Sequence, residues 1–155
     1  MYRIITLLVV TCLLLLSCGD GSYEAKTYME NKSGHQVTIE PYRNKVLTET
    51  RRFVLAINEV QLVDANRGRG PSSGSTYGDL TGDSIVITFG DTLKVSHLGL
   101  NKTIPKSYPS AHPRNLKNWK SYTHEILENR KRYVKNEYRY IFTPANYQDA
   151  LELNK

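Results

Sequence analysis

Only two of the 155 residues carry a thiol, Cys12 and Cys18. A thiolate is the strongest nucleophile and the softest metal ligand among side chains, so these two are the first candidates for chemistry. Cys12 lies within residues 4–16, an apolar run without a charge, and Cys18 follows that run after one serine. The run is preceded by Met-Tyr-Arg, with Arg3 the only charge. As a helix it would span about 20 Å, short of the roughly 30 Å of a bilayer core. A positive start, a short apolar run and a small residue at its end read as a secretory signal.

The end of that signal, Leu15-Leu16-Ser17-Cys18, resembles the bacterial lipobox: Leu at −3, a small residue at −1 and Cys at +1. The resemblance implies a diacylglycerol thioether on Cys18, cleavage before it and N-acylation. Cys18 is then the lipid-attachment residue, residues 1–17 are a lipoprotein signal peptide, and residues 18–23 are the lipidated Cys and a short Gly-, Asp- and Ser-rich tether. Two or more acyl chains anchor firmly where one is marginal. The expected address is the cell envelope, at the outer membrane. Asp20 alone is acidic after the lipid site, which resembles no strong surface-export signal. Removing residues 1–17 leaves 138 residues, lowers the net charge from +6 to +5 and leaves no free thiol. Neither a disulfide nor a Cys-based zinc site can then form. Residues 24–155 are one domain by length, large enough to need no staple.

Other reactive side chains are not arranged for catalysis. Ser72, Ser73 and Ser75 lie in a Gly-rich segment without a Gly-x-Ser-x-Gly turn, and a nucleophilic serine needs a fixed base beside it. His35, His97, His112 and His124 are scattered, with no paired ligand spacing. Glu125 and Glu128 on a strand would face opposite sides, unlike a glycosidase pair. Gly68-Arg69-Gly70 lacks the Lys-Ser/Thr of a phosphate loop. No cofactor, metal or catalytic residue is expected, and the domain reads as non-enzymatic.

Charge and aromatic residues say more. No Asp or Glu occurs in residues 92–124, where Lys94, Lys102, Lys106, Arg114, Lys117 and Lys120 are interleaved with Tyr108, Trp119 and Tyr122. Trp119, Tyr108 and Arg114 are the candidate contacts for a glycan or an anionic ligand. The alternative is a solvated basic loop with Trp119 and Tyr122 tucked into the core edge. An exported address disfavours nucleic acid. Asp83-Ser84-Ile85 and Asp91-Thr92-Leu93 resemble the Asp-Ser/Thr-apolar O-glycosylation sequon of Bacteroidota, which makes Ser84 and Thr92 candidate acceptors.

The elements that must carry these residues follow a period of two. Runs at 25–30, 35–40 and 52–57 read as strands, with Val37 and Ile39 on one face, then Phe53, Leu55 and Ile57 on one. Pro41 should end its strand or mark an edge. Ile85, Ile87 and Phe89 define the clearest strand, followed by a Gly90-Asp91 turn and a strand at 92–98 with Leu93 and Val95 inward. A second hairpin is expected from 121–127 and 133–143, with Tyr138, Tyr140 and Phe142 sharing a face. Thr143 can cap and Pro144 can open a helix running to residue 153, with Tyr147, Ala150 and Leu151 at i, i+3, i+4. Segments 65–82 and 98–120 read as long irregular loops. The expected fold is all-β, an antiparallel sandwich or partly open barrel, with one short C-terminal helix.

Asn31-Lys32-Ser33-Gly34-His35 leading to Tyr42, Tyr77-Gly78 ahead of Asp83-Ser84-Ile85-Val86-Ile87-Thr88-Phe89, Arg114-Asn115 leading to Ser121-Tyr122, and Tyr138-x-Tyr140-x-Phe142-Thr143 before Tyr147-x-x-Ala150 together resemble small Bacteroidota lipoproteins with no assigned activity. The resemblance implies a β-rich domain on a lipid anchor. The expected partners are the membrane, through acyl chains on Cys18, and an envelope protein or glycan. It carries over no catalytic residue.

Overall fold

The computed structural model describes residues 21–69, 83–98 and 106–155. The signal segment, Cys18, Ser72, Ser73, Ser75 and Lys102 lie outside the described residues. Along the chain run β1 (Ser22–Asn31), β2 (Val37–Arg43), β3 (Val46–Leu47), β4 (Phe53–Leu55), β5 (Val60–Arg69), β6 (Ser84–Phe89), β7 (Leu93–Leu98), β8 (Ser107–Tyr108), β9 (Thr123–Arg130), β10 (Tyr133–Phe142) and α1 (Pro144–Leu153). The first sheet has the order β5-β1-β10-β9. The second has the order β3-β2-β6-β7-β8, with β4 also on β2. This is an all-β sandwich with one C-terminal helix.

Among the described residues six pairs are antiparallel, and three of them, β2–β3, β6–β7 and β9–β10, are joined by turns of two or three residues, but β1 runs parallel to β10 and β7 to β8. Hairpin turns dictate direction only between neighbours in sequence. β1 and β10 are separated by most of the domain, and β7 and β8 by eight residues, so no tight turn constrains either pair.

Alternation fills the core. Met29, Tyr140 and Phe142 of the first sheet meet Val37, Ile39, Leu55, Ile85, Ile87, Phe89 and Val95 of the second. Each such side chain contributes about 1.5–3 kcal/mol when fully buried. Phe142 stands edge-on to both Phe89 (6.2 Å) and Tyr140 (4.9 Å). Helix α1 has the expected bounds. Asn146 Oδ1 accepts from the Thr143 N–H at 2.9 Å and hydroxyl at 2.8 Å. The helix buries Asn146 and Ala150 and packs Tyr147 and Leu153 against the core.

Several boundaries differ from expectation, each for a physical reason. Pro41 neither ends β2 nor lies at a sheet edge; it pairs with Ile85 of the neighbouring β6. Its carbonyl accepts from Thr48 N, on the side away from β6. A strand residue points its N and C=O to the same side, so the missing donor falls between β4 and β3 and costs no bond to β6. The 52–57 run is shorter: β4 stops at Leu55, Asn58 takes φ +63°, and Ile57 is exposed. β1 starts at Ser22, so Ser22 and Tyr23 belong to the sheet rather than to the tether.

The segment 65–82 is not all loop. Residues 65–69 continue β5 along β1, in register from Ser22↔Arg69 to Lys26↔Ala65. Gly68 has a tertiary role there: a Cβ on it would fall 2.6 Å from the Tyr23 ring. The Glu125–Glu128 pair is also rephased. A bulge puts Glu125 opposite Glu137 and Glu128 opposite Lys135, two apart on β10. Both carboxylates therefore share a face instead of opposing one another.

The outer face of the first sheet is a charge lattice. Arg139 bonds Glu30 (3.2 Å) and Glu137 (2.8 Å) and covers the Tyr28 ring at 5.6 Å. Lys32 bonds Glu30 at 2.7 Å, and together with Arg139 it holds the Glu30 carboxyl below the usual carboxylate range.

Candidate functional site

The segment from β8 to β9 was expected to be irregular, and a single amide organises it. Asn115 is fully buried. Its Nδ2 donates to the carbonyls of Leu98 (2.9 Å), Tyr108 (3.0 Å) and Pro109 (2.8 Å), and its Oδ1 accepts from Lys117 N at 2.7 Å. An Asn amide offers two N–H hydrogens, here shared among three carbonyls, and an acceptor from one short side chain, which lets it stand in for absent ladder bonds. Asn31 plays the same part between β1 and β4, with Nδ2 on the carbonyls of His35, Leu55 and Ala56.

Further bonds fix the segment to its surroundings. Leu116 N donates to His97 Nδ1 at 2.8 Å, and the Tyr122 hydroxyl donates to Leu116 O at 3.0 Å. The Tyr140 hydroxyl donates to Arg114 O at 2.6 Å and accepts from Asn146 Nδ2 at 3.1 Å. The loop is thereby bound to both sheets and to α1.

Between this loop and α1 lies a cleft of about 500 Å³, lined by Ser107, Tyr108, Pro109, His112, Arg114, Asp149, Glu152 and Leu153. The Tyr108 ring is stacked by His112 (4.1 Å, 5°) and met edge-on by His97 (4.9 Å, 68°). Its hydroxyl donates to Asp149 Oδ2 at 3.1 Å. The same oxygen accepts from Arg114 Nη1. Burial, then the Asp149 charge, pushes the Tyr108 hydroxyl well above its ordinary value, so it stays a donor. The bond to Asp149 raises the Arg114 guanidinium further. His112 is shifted down by burial, with Arg114 adding to the effect against the pull of Asp149. Its Nδ1 accepts from Arg114 N at 3.2 Å, which leaves Nε2 as the donor in the neutral ring.

The cleft therefore presents one guanidinium, two carboxylates, a neutral imidazole and an aromatic floor. Its formal charge is −1, although the surrounding stretch of sequence is strongly basic. Such a surface suits ligands with many hydroxyls, which donate to carboxylates and accept from Arg and His.

Of the three expected contact residues, Tyr108 and Arg114 meet in this cleft. Trp119 does not line it. It sits on a 3-10 turn, Trp119–Ser121, is 68 % exposed and has Lys120 Nζ 5.7 Å from its ring. Of the two residues that the alternative reading tucks into the core edge, Tyr122 is buried and Trp119 is not. Ser84 and Thr92 also separate. Ser84 is half-buried in β6, flanked by Tyr42 and Leu98, whereas Thr92 is exposed in the turn between β6 and β7. Cys18 lies outside the described residues.

His112, Asp149 and Glu152 were not foreseen. The one signal for the acids was their i, i+3 spacing on the helix. All four histidines turn out to be ring partners of tyrosines: His35 on Tyr147 (3.8 Å), His97 and His112 on Tyr108, and His124 on Tyr138 (4.5 Å). Among the described residues no cluster of His, Cys, Asp and Glu could hold a metal ion, and no helix is long and apolar enough to cross a membrane. No protein-family model matches the chain, and no curated protein or solved structure matches it significantly.

Proposed function

We propose that the chain is a lipid-anchored protein of the cell envelope, held at the outer membrane by acyl chains on Cys18, whose sandwich has a structural or interaction role rather than an enzymatic one. The observation that carries the anchor is Leu15-Leu16-Ser17-Cys18 closing a short apolar run. Burial of acyl chains at about 0.8 kcal/mol per CH₂ makes two or more chains a stable anchor. Mass analysis of the N-terminal peptide from membrane fractions, with Cys18→Ala alongside, tests it. The wild-type peptide should begin at Cys18 with acyl mass added, and Cys18→Ala should remain uncleaved and unacylated. An unmodified Cys18 in the wild type overturns the anchor.

A second reading gives the sandwich a ligand, a neutral glycan in the cleft between the β8–β9 loop and α1. It is favoured over an anionic ligand because Asp149 answers Arg114 and Glu152 adds a second carboxylate. Calorimetric titration with glycans separates the cases. Binding weakened by Arg114→Ala and insensitive to Trp119→Ala supports the cleft. No saturable binding, or binding indifferent to Arg114→Ala, removes it and leaves an envelope protein as the partner class.

A further inference from the structure

The first sheet is electrically polarised along its strands. At one end, three successive rungs across β5, β1, β10 and β9 read Arg69–Ser22–Tyr133–Arg130, Gly68–Tyr23–Val134–Asn129 and Arg67–Glu24–Lys135–Glu128. The β9–β10 turn adds Lys131 and Arg132 beyond them. Six basic residues thus face two acidic ones, a net of +4. The remaining rungs carry Lys26 and Arg139 against Glu30, Asp64, Glu125 and Glu137, a net of −2. Five of the six basic side chains stand out into solvent, with Arg67 and Arg130 each 78 % exposed and Arg69, Lys131 and Arg132 exposed, while Lys135 is half-buried. Glu24 takes Arg67 at 3.1 Å and Lys26 at 3.5 Å, and Glu128 takes Arg130. Arg69 and Lys131 have no acidic partner among the described residues.

This pole is where the chain leaves toward Cys18. Ser22 N donates to Arg132 O at 2.8 Å, so the first strand residue is bonded to the basic turn itself. Four Cα steps separate Ser22 from Cys18, at most about 14 Å. A residue anchored through Cys18 therefore keeps the pole within one to two Debye lengths of the head groups, about 8–10 Å each at physiological salt.

We infer that this pole is a second membrane contact, seating Arg67, Arg69, Arg130, Lys131, Arg132 and Lys135 on an anionic phospholipid leaflet beside the acyl chains, with the acidic end of the first sheet turned away from the leaflet. The inference rests on the Cys18 anchor for its distance, and on the rungs for its charge. The basic pole attracts anionic head groups while the far rungs of the same sheet are repelled, which favours one orientation of that sheet as well as holding it.

The full lipidated chain, bound to vesicles of phosphatidylcholine alone or mixed with phosphatidylglycerol, tests this by hydrogen exchange and flotation. Amides of residues 67–69 and 130–133 should exchange about 10-fold more slowly on the anionic vesicles, each basic residue near the surface being worth about fivefold in partition. High salt, or the double variant Arg69→Gln/Lys131→Gln, should abolish the difference. Lys94→Gln/Lys120→Gln, the same change of charge elsewhere, should not. Equal exchange on both vesicles, or slowing that survives the Arg69/Lys131 variant, overturns the inference. Flotation on phosphatidylcholine alone reports the acyl anchor independently. A chain that floats there without anionic slowing keeps the anchor and loses the pole. A chain that floats only on anionic vesicles, in a manner sensitive to salt and to the variant, loses the anchor and keeps the pole.

Discussion

The Arg114 guanidinium closes on the Asp149 carboxylate across 35 residues of sequence, joining the β8–β9 loop to the C-terminal helix. Arg114 is the one arginine in a stretch otherwise charged by lysines, and its fork geometry suits a carboxylate that also accepts from Tyr108. The pair turns a basic segment into a cleft lined by more acid than base.

Asp149→Asn tests that pair. Arg114 is 38 % exposed, so solvent screening limits the loss, and we expect about 1 kcal/mol of destabilisation by urea titration. The charge effect is larger than the stability effect. With Asp149 neutral, the cleft lining goes from −1 to zero and Arg114 loses its counter-ion. Weak binding of sulfated or carboxylated sugars should appear where wild type shows none, and isothermal calorimetry with both proteins checks it. Unchanged anion affinity would mean that Asp149 does not control the electrostatics of the cleft.

Asn115 carries more of the fold than its single amide suggests. Asn115→Ala leaves three carbonyls and the Lys117 N–H without their partner in a buried place. Each buried group left unsatisfied costs about 1–3 kcal/mol, partly relieved by water, so a loss of about 3 kcal/mol or more is expected. Asn31→Ala should cost a similar amount on the other side of the sandwich. Denaturation midpoints at constant m-value measure both. A change below about 1 kcal/mol would show that water replaces the amide.

Local signals in the sequence were sufficient for part of this molecule. Ile85, Ile87 and Phe89 alternate on a strand buried on one face, Gly90 at φ +60° turns the hairpin, and Thr143-Pro144 opens α1 where capping chemistry places it. What stayed hidden depends on contacts between distant segments. Glycines in the 65–82 segment have the composition of a loop, yet Gly68 is small because Tyr23 lies over it. Tyr108 and Arg114 could be picked out by type, but Asp149 and His112 join them only through the fold. Trp119 stands out in the sequence for its ring, yet it lies on the Trp119–Ser121 turn, outside the cleft. The charge polarity of the first sheet arises from register, which no single segment encodes.

Trp119 offers a direct check on the loop. It is the only tryptophan in the chain and is 68 % exposed. Its emission in the native state should already be near that of the unfolded chain, with only a small red shift in urea. Trp119→Ala should change stability by no more than about 0.5 kcal/mol, as is usual at exposed sites. A blue-shifted native emission that moves strongly on unfolding would contradict the exposed position. Adding anionic vesicles should leave the emission unchanged if the basic pole, and not this loop, meets the membrane.

His97 sets the response to acid. Its burial, reinforced by the nearby His112, pushes the imidazole down to about 3 in the folded protein, against about 6.5 in an unfolded chain. Above pH 6.5 both states are neutral at this residue, and it makes no difference to stability. As pH falls below 6.5 the unfolded chain takes up a proton that the folded chain refuses. Stability should then fall by up to about 1.4 kcal/mol per pH unit from this group, continuing toward pH 3. His112, also shifted down, acts in the same direction. Loss of stability should therefore begin near pH 6.5, well before the carboxylates titrate. His97→Asn retains an acceptor for Leu116 N but cannot be protonated in that range. It should be less stable at pH 7.5, from the smaller side chain, with a flatter pH profile between 6.5 and 4.5. Urea midpoints measured at intervals across that window decide the matter: parallel profiles for wild type and His97→Asn would assign the acid sensitivity to other groups.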